Sequence, residues 1–242
     1  MEQIGQADVR SRLMKMRWVG AAAIAACLLS FVAPAAQAAP GPLIQPGEFM
    51  DSEGTLCTMS FIYSGTGGET YAGTAAHCVP EGIGADVALS DGTVFGDVAA
   101  IGNEGATETD WAIIRVRSAH LGRVSPAMKG HPTVPRGVAT PGETAFGDQV
   151  LQSGYGTGFE FTALTREQRV SVLTYDDQQL FTALGASIFG DSGGPMVHKP
   201  TGKALGVVSR LCIGTCEMEG PTVHGILAQA RAKGLTLTLR TA

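Results

Sequence analysis

Glycine punctuates this chain so often that the segments between look like short strands joined by tight turns. It has 33 glycines in 242 residues, and only 16% of its residues are charged. A strand needs only about four to eight residues rich in apolar or β-branched side chains, bounded by turn formers. Runs of that kind are Cys57–Ser64, Thr70–Ala75, Val94–Ile101, Asp110–Val116, Glu143–Ser153, Arg169–Thr174, Gln179–Ala183, Pro195–His198 and Ala204–Arg210. Leu43–Asp51 reads either as a short leader or as a first strand. Gly225–Lys233 reads as a short helix stopped by Gly234, and Leu235–Leu239 alternates like an added strand. The Pro- and Gly-rich stretch Pro126–Gly142 reads as a linker between two strand-rich halves. No strong internal repeat is present.

Four local patterns carry chemistry. In Gly190-Asp191-Ser192-Gly193-Gly194-Pro195, glycines flank an Asp-Ser pair, so the backbone can turn sharply and bring amide N–H groups close to a bound carbonyl. Such a hydroxyl becomes a nucleophile only with a base in reach. By itself the hexapeptide also fits an ordinary surface turn. Thr74-Ala75-Ala76-His77-Cys78 places an imidazole at the end of a strand-like run, where a core histidine beside a disulfide is the plain alternative. Thr109-Asp110-Trp111-Ala112-Ile113-Ile114 places one carboxylate at the rim of an apolar strand. Asp86, Asp91 and Asp97 lie instead among turn formers and read as solvated. Ser209 closes the apolar run Leu205-Gly206-Val207-Val208.

Together and in this order, the motifs resemble the trypsin-like (chymotrypsin-fold) serine proteases, in the compact form of secreted bacterial members. The resemblance covers roughly residues 55 to 232. It implies an all-β fold of two six-stranded antiparallel β-barrels (about 43–125 and 143–224), a cleft between them and a short C-terminal helix. It makes His77 the general base, Asp110 its orienting partner and Ser192 the nucleophile. Ser209 matches the serine that supports the aspartate, and Gly190 and Ser192 supply the oxyanion N–H groups. For the substrate pocket the resemblance points to Ala186 and Phe189 on one wall, with Ser209, Arg210 and Leu211 on the other. The aspartate that selects basic residues is replaced by Ala186, so cleavage after Arg or Lys is not expected. Leu211 stands where a glycine is common, which points to small or medium apolar side chains. Arg210 and His224 leave a site for acidic residues as the alternative.

The resemblance thus implies an endopeptidase that needs no cofactor, acts on peptide or protein substrates and works as a monomer. Two other classes share parts of the pattern. A silent binding protein could keep the fold, and esterases use the same acyl-transfer chemistry. Esterases of the α/β-hydrolase type place Ser before His in the chain, the reverse of the order here. No Arg-Ile-Val-Gly-Gly activation junction precedes Cys57, so Asp191 must be neutralised from within the chain. Removal of the leader is expected to suffice for activity.

Compartment is legible separately. No charge occurs from Trp18 to Pro40, Lys15 and Arg17 stand just before, and Ala36-Gln37-Ala38 is a small-x-small site. Residues 1–38 therefore read as a secretory signal, cleaved after Ala38, leaving 39–242 as the mature domain. Met14 and Met16 are alternative starts, and Ile24-Ala25-Ala26-Cys27 is a weak lipoprotein box. A retained membrane anchor fits poorly, because Pro34 and Gln37 interrupt the apolar stretch. Of five cysteines, removing Cys27 with the signal leaves four, an even number suited to an oxidising compartment. Their three pairings stay open by sequence. The family resemblance implies Cys57–Cys78, with Cys212–Cys216 left as a local loop. A metal site from Cys212, Cys216 and His224 is the rival reading, disfavoured by the close spacing of the two cysteines. The formal charge of −5 becomes −7 without residues 1–38, which carry four basic and two acidic groups. A mildly acidic mature chain has no basic patch to suggest nucleic acid, and no such partner is expected.

Overall fold

A computed structural model describes residues 41–130, 133–156, 169–212 and 217–241. The expected signal segment, Cys27 and Cys216 lie outside the described residues, and so does the Cys212–Cys216 pairing. The described chain forms two antiparallel sheets. The first is built from β1 (Phe49–Ser52), β2 (Thr55–Thr58), β3 (Ile62–Gly65), β4 (Thr70–Thr74), β5 (Asp86–Ala88), β6 (Val94–Ile101) and β7 (Ala112–Val116). The second holds β8 (Gln149–Gln152), β9 (Arg169–Asp176), β10 (Leu180–Leu184), β11 (Pro195–His198), β12 (Lys203–Val207), β13 (Arg210–Cys212) and β14 (Glu217–Pro221). Helix α1 (Val223–Ala232) follows, and β15 (Leu237–Leu239) returns to pair with β3 of the first sheet.

The strand orders are β15-β3-β4-β7-β6-β5-β1-β2 and β12-β11-β8-β9-β10-β14-β13, eight and seven strands rather than six and six. The difference is mostly one of bending. β2 runs on into β3 through Ser60, whose N–H reaches Gly73 of β4 at 2.6 Å, so one bent strand closes the first sheet on itself. β12 likewise runs on into β13, with Ser209 N–H bonded to Glu219 of β14 at 2.9 Å. Counting each bent strand once leaves six per sheet, with β15 as an addition to the first. That addition was hinted at by the alternation in Leu235–Leu239, whose Leu237 and Leu239 are buried.

The interior follows the two-residue period of strands. In Val94–Ile101, Gly96, Val98 and Ala100 are buried at every second position, and Phe95 is buried as well where the pairing with β5 shifts register. One apolar cluster fills the first sheet around Met59, Ile62 and Phe95, and another fills the second around Val150, Phe181 and Met196. A third lies between them, where Trp111, Ile113 and Tyr63 meet Val197, Val207 and Ile226 of α1. That cluster matters for function, since Trp111 adjoins Asp110. Its indole N–H donates to Gln229 of α1 at 2.6 Å, and the Gln229 amide donates to the Glu108 carbonyl at 3.0 Å. Helix α1, capped by the Thr222 hydroxyl on the Gly225 N–H, therefore braces the segment that carries the carboxylate.

The linker expected at Pro126–Gly142 is tied down in its second half. Arg136 and Ala139 N–H groups donate to Gly202 and Ala204 at the start of β12, at 2.9 and 2.8 Å. Asp86, Asp91 and Asp97 stay near the surface, each paired with an arginine: Arg117, Arg123 and Arg115 respectively. Cys57 and Cys78 form a disulfide with a Cα–Cα distance of 5.9 Å across 21 residues of sequence. It joins β2 to the turn bearing His77. Replacing both cysteines by serine is expected to lower the free energy of unfolding by about 3 kcal/mol in the chain-entropy account. Urea midpoints of the oxidised parent and the double variant check this.

Candidate active site

His77 sits in a single 3-10 turn, Ala76–Cys78, directly after β4. Asp110 ends another short 3-10 segment, Thr107–Thr109, just before β7. β4 and β7 are neighbours in register, with Thr74 opposite Ala112, so their adjacent ends bring imidazole and carboxylate together. His77 Nδ1 lies 2.8 Å from Asp110 Oδ2, and the His77 backbone N–H donates to Oδ1 at 3.0 Å. Ser209 Oγ donates to the same Oδ2 through a short hydrogen bond. The carboxylate is only 1% exposed, whereas the His77 side chain keeps a third of its surface. Burial pushes the Asp110 carboxyl up, but the hydrogen bonds and charge of His77, together with Ser209, hold it below its ordinary 3.8. Facing an ionised carboxylate, Nδ1 carries the ring proton and Nε2 is left as the acceptor.

The glycine turn is docked from the opposite side. Gly190 and Gly193 have φ of +94° and +85°, a region that side chains with a Cβ rarely enter. At Gly193 a Cβ would also come within 2.2 Å of both the Thr58 carbonyl and Thr74 Oγ1. The turn is thus pressed directly on β2 and β4, next to the His77 segment. Asp191 is fully buried and accepts from the N–H groups of Ile188 and Gly156, at 2.8 and 3.0 Å, and from Ser187 Oγ at 3.1 Å. The N–H groups along this turn divide in two. Those of Asp191, Gly193 and Gly194 donate to Ile188, Val208 and Asp191 carbonyls. Among the described residues, those of Gly190 and Ser192 donate to nothing. No hydrogen bond joins Ser192 Oγ to His77.

A cleft of about 410 Å³ opens beside the imidazole, walled by His77, Glu104, Gly105, Asp110, Ser209 and Arg210. Arg210 reaches across it to the Glu104 carbonyl at 3.2 Å. Of the residues expected to contact substrate, Ser209 and Arg210 border this cleft. Ala186, Phe189 and Leu211 do not, and Phe189 points outward with 73% of its surface exposed. His224 lies in the first turn of α1, away from these walls. Glu104 and Gly105 were not singled out by sequence reasoning, although Asn103-Glu104-Gly105 has the turn composition of a cleft rim. Cys57, Cys78 and His77 present three potential metal-ligand atoms within 4.8 Å, but the two sulfurs are consumed by the disulfide and are not thiolates.

The sequence model of the family described as Trypsin matches residues 52–225. The chain belongs to the trypsin family. Among solved structures, Thermobifida fusca Protease A is similar at 23% identity and a TM-score of 0.60, covering 82% of this chain and 99% of that one. Nocardiopsis Protease (NAPase) gives 21% and 0.60 over 82% and 99%. A glutamic acid specific serine protease, described as using a novel histidine triad in substrate binding, gives 21% and 0.60 over 81% and 100%. These likenesses show the fold, two β-sheet halves with one short C-terminal helix. No curated protein matches the sequence. Membership of the trypsin family supports a serine-type peptidase whose substrates are peptides or proteins.

Proposed function

We propose that this trypsin-family chain is a secreted serine endopeptidase using Ser192 as nucleophile, His77 as general base and Asp110 as the group that orients the base. The observation that carries the proposal is the grip of a buried carboxylate on both the ring and the main chain of His77, beside a glycine turn with two N–H groups that have no partner among the described residues. Ser192 Oγ attacks the scissile carbonyl as its proton passes to His77 Nε2. The carbonyl oxygen takes up negative charge facing the Gly190 and Ser192 N–H groups. Collapse of that intermediate expels the amine, which receives the proton from His77, and leaves an acyl-enzyme on Ser192. Water then repeats the sequence and releases the acid. Asp110 keeps the imidazole in the required tautomer and stabilises the imidazolium while it exists. A hydrogen bond from Ser192 Oγ to His77 is needed only when substrate is in place, and such bonds are often long in unliganded enzymes.

A secreted location is supported by the disulfide and by the leader-like composition of residues 1–38. The test is covalent labelling of the mature protein with a fluorophosphonate, followed by identification of the modified peptide. Stoichiometric modification at Ser192 is expected. A protein that stays unlabelled while folded is a binding module on this scaffold, and one that turns over esters but no peptide is an esterase.

A further inference from the structure

Thr58 has no part in the reaction just described, yet both its side chain and its main chain bond to the glycine turn. It ends β2 and is fully buried. Its hydroxyl lies 2.7 Å from the Gly190 carbonyl and 2.9 Å from the Tyr155 N–H. An N–H can only donate, so the single hydroxyl proton must point at Gly190, and its direction is fixed. The Thr58 N–H donates to the Ser192 carbonyl at 2.8 Å, and the Thr58 carbonyl accepts from Thr74 Oγ1 at 3.1 Å. One residue of the first sheet therefore holds the carbonyls of both residues whose N–H groups have no partner among the described residues.

That hold is needed because of Gly190 itself. A glycine at φ +94° has no Cβ to define its rotation, and neighbouring peptide planes can swing at small cost. An anion site works only if its donors already point at the place where charge develops. We infer that Thr58 is a positioning residue for the oxyanion-binding turn: its hydroxyl holds the Gly190–Asp191 peptide and its N–H holds the Ser192–Gly193 peptide. The Asp191–Ser192 peptide that bears the Ser192 N–H is thereby fixed on both sides, and the Phe189–Gly190 peptide that bears the Gly190 N–H on one. The same hydroxyl ties in Tyr155, whose neighbour Gly156 donates to Asp191, so the two supports of the turn meet at Thr58. This inference rests on the endopeptidase reading.

The experiment compares wild type, Thr58→Val, Thr58→Ala and Thr58→Ser in the mature protein, with melting temperature recorded for each. Loss of the hydroxyl in Thr58→Val is expected to lower kcat about 10- to 100-fold with KM unchanged, somewhat less than deletion of a direct oxyanion donor. Thr58→Ser, which keeps the oxygen, is expected to stay within about threefold of wild type. An unchanged kcat in folded Thr58→Val, or a rise in KM alone, overturns the inference. So does a loss that Thr58→Ser fails to rescue. If neither Thr58→Val nor Thr58→Ala folds, the residue holds the fold rather than the turn, and the inference falls. A wild-type protein that resists fluorophosphonate overturns the functional reading and this one with it. A labelled wild type with an unimpaired Thr58→Val overturns this one alone.

Discussion

Ser192→Ala is expected to lower kcat on a peptide substrate by about 10⁶-fold, while KM changes little. The size follows from the role: without Oγ there is no acyl-enzyme, and His77 has no alcohol to deprotonate. The effect should not add to that of His77→Ala, because either change alone disables the same proton-coupled attack. A residual acceleration of about 10³–10⁴ over water should persist, since the N–H groups of Gly190 and Ser192 belong to the backbone and survive the substitution. The fold should be indifferent, as no hydrogen bond among the described residues depends on the Ser192 hydroxyl, whereas its carbonyl still takes the Thr58 N–H. Steady-state kinetics on wild type and both variants, with matched melting curves, make the measurement. A loss of less than about 100-fold with the fold intact would remove Ser192 from the nucleophile's role.

The residues proposed for catalysis stand out in the sequence because each advertises a local demand. Gly190 and Gly193 sit at positive φ, His77 lies in the turn that follows β4, and Asp110 stands two residues before Ala112, the first residue of β7. Val94–Ile101 and Pro195–His198 form strands with the bounds their composition implies. Other elements are decided by partners distant in sequence. β14 reads Glu-Met-Glu-Gly-Pro, which no strand propensity favours, yet it pairs with β10 and β13 on either side. β5 is three residues long and begins at Asp86, which looked like part of a turn. The run from Glu143 has the expected composition of a strand but pairs only from Gln149 onward. Glu143 and Asp148 accept from the backbone N–H groups of Thr140 and Ala145, a use of acidic side chains that competes with pairing. Thr58 was illegible for the strongest reason. Its hydroxyl partners stand 97 and 132 residues away, and nothing near Thr58 marks it. The cleft rim at Glu104 and Gly105 belongs to the same class, since only the packing of two sheets gives it a neighbour in Arg210.

Asp110→Asn separates geometry from charge at the base. The amide is nearly isosteric: its oxygen can keep the His77 N–H, while its NH₂ group, standing in the place of Oδ2, can donate toward Nδ1 and toward Ser209 Oγ, which must turn from donor to acceptor. A ring that must accept at Nδ1 carries its proton on Nε2, the atom needed to receive the proton of Ser192. A loss of about 10⁴-fold in kcat is expected from that tautomer, with little change in KM. The same substitution isolates a contribution to stability. The carboxyl of Asp110 is held below its ordinary 3.8 in the folded chain, because the hydrogen bonds and charge from His77, with Ser209, outweigh the cost of burial. A group whose pKa is lowered by folding stabilises fully above its unfolded value, and the benefit disappears as pH falls through the folded value. Wild type should therefore lose stability on acidification below pH 3.8 more steeply than Asp110→Asn, which has nothing to protonate at this position. Urea midpoints measured from neutral pH downward test the sign directly. Parallel curves for the two proteins would mean that the carboxylate is not preferentially ionised by the fold, and the electrostatic support assigned to His77 would go with it.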